Sequence, residues 1–106
     1  MWKIDSGTKT GTTTASYAEA LNWLCHELGS KTILLKNTHA SNSLKYRLLG
    51  YVTEGGFSKE LVAETTLLAG EVAEFDYDRQ WHRLVLQVIN GSGQATYTVN
   101  YEGQGA

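Results

Sequence analysis

The sequence predicts a mainly β protein: an Ig-like or jelly-roll-like antiparallel β-sandwich with an extended N-terminal arm and one short helix. Three observations support this fold class. Apolar and polar residues alternate through residues 31–101, turn signals divide that region into about six short runs, and no helical pattern separates one run from the next. With 106 residues, of which 42% are hydrophobic, the chain can bury the core of one domain.

The first 14 residues predict the arm. Trp2 and Ile4 precede a stretch composed almost entirely of threonine, serine and glycine. Threonine favours extended backbone, whereas the two glycines weaken any regular element. We therefore expect residues 1–14 to extend onto a neighbouring subunit, where Trp2 and Ile4 would be buried. Residues 15–106 then form the sandwich domain.

A helix is predicted near residues 16–28. Ser16 and Glu19 have the spacing of a capping box, and Gly29 stands where a helix would end. Trp23 lies to the side of the predicted apolar stripe, where it covers neighbouring strands or faces a partner. At about 100° per residue, the stripe itself consists of Tyr17, Leu21, Leu24 and Leu28.

The remaining elements are strands, and their core faces follow from the two-residue alternation. Residues 69–71 predict a tight reversal, and residues 90–93 predict a hairpin connection whose glycines would supply positive φ angles. The residues expected to face the core in the clearest runs are Leu44, Tyr46, Leu48 and Val52, then Leu84, Leu86 and Val88, and finally Ala95, Tyr97, Val99 and Tyr101.

Composition argues against several classes of function. A net charge of −2 gives no general attraction to nucleic acid or to an anionic membrane, and no apolar run approaches the ~20 residues of a membrane span. The single cysteine, Cys25, cannot form an internal disulfide or a cysteine-based zinc cluster, and we expect it to be a buried thiol. We therefore predict no cofactor, no nucleic-acid partner and no membrane partner.

No catalytic constellation is recognisable. Cys25 and His26 are adjacent on the predicted helix, so their side chains point about 100° apart and do not form a nucleophile and base pair. Glu74, Asp76 and Asp78 alternate along a run, and two of them could share a calcium ion. The dense oxygen loop of a dedicated calcium motif is absent, which favours a solvated acidic rim. We predict that the protein is not an enzyme.

Charges are segregated along the chain. Four basic residues and no acidic one lie between residues 28 and 53, whereas six acidic residues and no basic one lie between residues 60 and 78. Either these charges pair across strands within the sandwich, or the basic patch of one subunit meets the acidic patch of the next. The candidate assembly residues are Trp2, Ile4, Trp23, Lys45, Arg47, Glu74 and Asp76.

Four segments carry a resemblance to a known class: residues 31–38, 42–47 and 67–71, and the closing hairpin at 81–101. Over about two thirds of the chain, they resemble small β-sandwich structural proteins of tailed bacteriophages. The resemblance implies a virion component assembled in the host cytoplasm, such as a capsid decoration (cement) protein or a tail protein. It also implies a homo-oligomer such as a trimer, bound to a major capsid or tail protein.

A carbohydrate-binding sandwich is the alternative function. Sandwiches of this kind stack exposed aromatic rings on sugars, and the available platforms here are Tyr51, Tyr77 and Trp81.

Overall fold

The computed structural model describes residues 3–105, which form two four-stranded antiparallel sheets packed face to face. The predicted sandwich is confirmed. The first sheet has the order β1-β8-β3-β6 and the second sheet has the order β2-β7-β4-β5. The strands are β1 (Lys3–Thr12), β2 (Ala18–Leu24), β3 (Ser30–Asn37), β4 (Leu44–Tyr51), β5 (Ser58–Leu67), β6 (Val72–Tyr77), β7 (Arg83–Asn90) and β8 (Thr96–Gly105).

The core lies between the sheets and is built by the two-residue alternation. Every residue predicted to face inward in β4, β7 and the start of β8 is buried, and Tyr101 packs against the core from a half-buried position. The prediction for Val52 is wrong, because β4 ends at Tyr51 and Val52 is 66% exposed in the following loop. The aromatic rings of Tyr46 and Phe75 meet edge to face across the two sheets, with ring centroids 5.4 Å apart. The sequence pattern therefore predicts this part of the core correctly.

The predicted N-terminal arm is wrong, because residues 3–12 form β1 and pair along their whole length with β8. The two glycines do not weaken the strand. Gly7 lies opposite Tyr101 and Gly11 lies opposite Tyr97, and each tyrosine ring covers the glycine backbone. A Cβ on Gly7 would lie 2.6 Å from the Tyr101 hydroxyl, so the strand needs glycine there.

The predicted helix is also wrong, because residues 18–24 form β2. A β-bulge between Glu19 and Leu21 turns two successive residues, Ala20 and Leu21, toward the core. This extra residue breaks the alternation and spaces the apolar residues like one face of a helix. Leu24, assigned to the helical stripe, instead faces solvent. The part of the chain that the structure describes contains no helix, and thus none that could span a membrane.

Glycine has different roles in the two predicted reversals. Gly70 has φ = 82°, and the Glu71 amide donates to the Leu68 carbonyl, which confirms a tight reversal at 69–71. The predicted hairpin at 90–93 is wrong, because β7 and β8 lie in different sheets and do not pair. Gly91 and Gly93 have no positive φ angle, so the expected reason for those glycines is wrong as well. Space is the actual reason, since a Cβ on Gly91 would lie 2.5 Å from the hydroxyl oxygen of Ser43.

Lys31 is buried near one end of the sandwich, which we call the Trp81 end and which comprises the loops at 25–29, 52–57 and 78–82. Its ammonium group donates to the carbonyl oxygens of Leu28, Gly29 and Arg79 at 2.8, 2.9 and 2.6 Å. Burial lowers the pKa of Lys31. Lys31 therefore joins two loops and does not belong to the surface basic patch predicted from the sequence.

Lys31→Met should destabilise the protein, because it retains the apolar stem but leaves three loop carbonyls without their donor. We expect the free energy of unfolding to fall by roughly 2–4 kcal/mol. Lys36→Met, in the same strand but exposed, should change it by less than about 0.5 kcal/mol. Chemical denaturation of both variants checks this, and equal effects would contradict the role given to Lys31.

Candidate assembly surfaces

The outer face of the second sheet combines apolar and basic side chains. Leu49 lies opposite Val85, and the register places Lys45 beside Ile89. Val85 is only 2% exposed although it points away from the core, because its neighbours on the face cover it. Acidic side chains share this face, since Glu60 lies opposite Leu49 and Glu19 lies opposite Gln87. The face is thus a shallow apolar surface bordered by charges of both signs, a composition found where proteins dock on proteins.

Arg47 is held in place on this outer face. Its Nε donates to the side-chain oxygen of Gln87 at 2.6 Å, and its guanidinium carbon lies 3.9 Å from the centre of the Tyr17 ring. The Tyr17 hydroxyl donates to Glu64, and burial together with this hydrogen bond raises the pKa of Tyr17 to about 12. Arg47 therefore presents its charge in a fixed orientation.

The outer face of the first sheet carries acidic side chains on β6 and one exposed lysine, Lys36, on the neighbouring β3. Glu74 and Asp76 project from β6, and Thr32 donates to Asp76 at 2.8 Å. Hydrogen bonding between the two carboxyl groups raises the pKa of Glu74 and lowers that of Asp76. An open groove of about 570 Å³ runs beside them, lined mainly by threonine, serine and asparagine. This face is flat and mostly polar.

The segregated charges do not pair within the molecule. Among residues 3–105, an ion pair joins Lys3 to Glu27, and His26 Nε2 lies 3.5 Å from the same carboxylate group. Lys45 and Arg47 lie on the outer face of one sheet, whereas Glu74 and Asp76 lie on the outer face of the other. Pairing across strands, the first interpretation of the charge pattern, is therefore wrong for these four residues, and any contact between the two groups must join different molecules.

An apolar hollow of about 400 Å³ opens at the Trp81 end, and we call it the Trp81 hollow. Its walls are formed by Gly50, Val52, Thr53, Phe57, Lys59 and Trp81. The Trp81 ring lies directly on Gly50, where a Cβ would come within 2.8 Å of two ring carbons. Phe57 is 93% exposed and Val52 is 66% exposed, so the apolar rim projects into solvent.

The groups behind the hollow are buried, and one is a thiol. Cys25 lies 3.5 Å from the Trp81 carbonyl, to which its thiol donates, and burial raises its pKa from the usual 9.0 to about 11. The expectation of a buried, free cysteine is confirmed. The ring nitrogens Trp81 Nε1 and His82 Nε2 are buried without a hydrogen-bond partner among the described residues. Within residues 3–105, no group of three or more histidine, cysteine, aspartate or glutamate residues could hold a metal ion.

The candidate residues predicted from the sequence do not form one site. Ile4 is 57% exposed on β1, whereas Trp23 is 3% exposed and cannot face a partner. The Trp23 indole donates to Asp5 at 2.9 Å and packs on Tyr101 with ring centroids 4.9 Å apart. Its burial follows from β2 being a strand, which turns it inward. Trp2 lies outside the described residues.

Sequence reasoning missed the most exposed apolar residue of this region. Phe57 follows Gly55 and Gly56, in a turn that lies outside every alternating run. An apolar residue in such a turn has no core face to occupy, and that signal would have identified it. The aromatic platforms proposed for sugars are not grouped either, because Tyr51 lies on an outer face while Tyr77 and Trp81 pack against the core.

No protein-family model and no curated protein matches the chain by sequence. By fold, the chain is similar to PirA, with a TM-score of 0.66, 15% identity, and coverage of 89% of this chain and 92% of that one. A Bacillus endospore appendage protein, from disulfide-linked pili, gives 0.63 at 11% identity, covering 99% and 89%. The Yersinia pseudotuberculosis-derived mitogen gives 0.62 at 14% identity, covering 92% and 84%.

Two further similar structures come from a prophage and a virus. The SPBc2 prophage-derived protein YomS has a TM-score of 0.57 at 14% identity, covering 96% of this chain and 95% of that one. A chain of the infectious bursal disease virus Gx strain has a TM-score of 0.55 at 11% identity. The match covers 97% of this chain but only 32% of the viral chain. At such identities, the similarity shows a shared fold.

The raised pKa of Cys25 predicts a loss of stability in alkali. The folded state favours the neutral thiol, so the stabilisation is complete below pH 9 and disappears as the pH rises from 9 to about 11. The loss attributable to Cys25 is at most about 2.7 kcal/mol. In the Cys25→Ala variant, the free energy of unfolding should fall less steeply with pH in this interval. Tyr17→Phe is the control, since its effect should appear only above pH 10; identical slopes for Cys25→Ala and the unsubstituted protein would contradict the assignment.

Proposed function

We propose that the protein is a non-enzymatic structural component of a virion, specifically a capsid decoration protein that binds a protein lattice. The observation that carries the proposal is the outer face of the second sheet, where a fixed Arg47 and Lys45 border an apolar surface and have no carboxylate partner among the described residues. The fold shared with a prophage-derived protein and with a viral chain supports it.

The chemistry of this face defines the expected partner. Leu49 and Tyr51 are half-buried and would lose their remaining contact with water on docking, at about 25 cal/mol per Å² of apolar surface. Arg47 is already oriented, so little side-chain entropy is lost when it meets a carboxylate. The matching surface on a capsid protein is an apolar patch with acidic residues at its edge.

The size of the face explains why a decoration protein of this kind would act in several copies. Four strands at ~4.8 Å and about eight residues at ~3.3 Å give a projected area of roughly 500 Å². Specific interfaces bury about 800 Å² on each partner, so one face gives a modest contact. Linked copies on a repeating lattice bind more tightly, because each bound copy raises the effective concentration of the next.

Reversing the charge of this face should abolish lattice binding. We expect the double variant Lys45→Glu and Arg47→Glu to lower the amount that co-sediments with particles assembled without this protein at least 10-fold, since an acidic partner would then be repelled. Lys36→Glu is the matched control, because Lys36 is exposed on the other sheet's outer face. Equal binding of the two variants to the particles would contradict the proposal. It would also be contradicted if the unsubstituted protein bound immobilised glycans and did not bind the particles.

A further inference from the structure

The Trp81 hollow is a concave apolar surface that the fold itself leaves open. Its rim residues Phe57 and Val52 are 93% and 66% exposed, and its floor is the Trp81 ring lying on Gly50. Lys59 is the one charged residue among those that line it. An open hollow of about 400 Å³ with this lining is suited to one bulky apolar side chain. A negatively charged residue next to that side chain would meet Lys59.

The opposite end of the sandwich carries a convex apolar tip at residues 67–72, where the chain crosses from β5 in the second sheet to β6 in the first. We call this crossing loop the Leu68 hairpin, although its two strands do not pair with each other. Leu68 is 57% exposed and Val72 is 54% exposed. Glu71 lies next to Leu68 and fixes it, because the Glu71 carboxylate accepts from the Leu68 amide at 2.8 Å and the Glu71 amide donates to the Leu68 carbonyl at 3.0 Å. The hairpin therefore presents an apolar side chain with an adjacent carboxylate.

Asn37 holds the Leu68 hairpin rigid against the rest of the sandwich. Its side-chain amide donates to the Leu67 carbonyl at 3.1 Å, and its carbonyl accepts from the Gly70 amide at 2.9 Å. Asn37 is fully buried, so these bonds are shielded from water. A tip held in this way loses little conformational entropy when it docks.

We propose that the protein associates head to tail, with the Leu68 hairpin of one copy seated in the Trp81 hollow of the next. The occupant is a second copy because the chain carries both halves of the contact, convex and concave, and their charges are complementary: Glu71 borders the knob and Lys59 borders the hollow. This contact does not use the outer face of the second sheet, which carries the proposed lattice binding. It therefore goes beyond lattice binding and is tested separately from it.

The geometry of the contact determines the form of the assembly. The hollow and the hairpin lie at opposite ends of the strands, along the 44 Å long axis of the molecule. A contact between two different surfaces of identical subunits is heterologous, so it propagates into an open filament or closes into a ring. The spacing between subunits along the chain of copies should be close to 44 Å.

Two single variants test the contact by complementation. Phe57→Ser removes the apolar rim of the hollow, and Leu68→Ser removes the apolar side chain of the hairpin. Each variant alone should therefore sediment as a monomer, with self-association weakened at least 10-fold. An equimolar mixture retains one intact hollow and one intact hairpin. We expect the mixture to form one-to-one dimers and nothing larger, as measured by sedimentation velocity. The double variant should stay monomeric when mixed with itself.

The control and the contradicting outcomes are equally specific. Ile4→Ser removes an apolar side chain that is 57% exposed, the same fraction as Leu68, and should assemble like the unsubstituted protein. Circular dichroism confirms that each variant is folded. An unsubstituted protein that stays monomeric, or single variants whose mixture fails to dimerise, would overturn the inference. Lattice binding by the Lys45 and Arg47 face could persist in either case, so the two proposals fail independently.

Discussion

The ammonium group of Lys31 holds the Trp81 end of the sandwich together, and the surfaces at that end depend on it. By donating to the carbonyls of Leu28, Gly29 and Arg79, it joins the loop after β2 to the loop before β7. Trp81 belongs to the second of these loops and forms the floor of the apolar hollow. A buried charge is tolerated there because each of its hydrogens has a carbonyl partner.

The sequence predicted the fold class because most of the core is built by plain alternation. In β4, and in β7 as far as Val88, every second residue is buried and is apolar or glycine, and Val85 is the one intervening residue that is buried as well. The predictions failed where something beyond the alternation decides the outcome. In β2, the bulge at Ala20 imitates helical spacing. In β1, Gly7 and Gly11 look like breaks until the tyrosines of β8 lie across them.

Where the candidate assembly residues lie on the fold could be predicted only in part, for a similar reason. Charge segregation along the chain identified Lys45 and Arg47, and Glu74 and Asp76, as two groups of opposite charge, but it left open whether they pair within one molecule, which they do not. Their placement on opposite faces requires knowledge of strand order, which one sequence does not contain. Trp23 was misplaced together with the helix, and Phe57 was overlooked because it lies in a turn and not in a strand.

The contact of β1 with β8 also has a consequence for related sequences. The ring of Tyr101 occupies the space beside Gly7, and the ring of Tyr97 occupies the space beside Gly11. The sizes of the two residues in each pair are therefore linked. A larger residue at position 7 requires a smaller one at position 101. Homologues of this protein should therefore show correlated substitutions at these two pairs, and the four positions would reveal the β1–β8 register to anyone who has only an alignment.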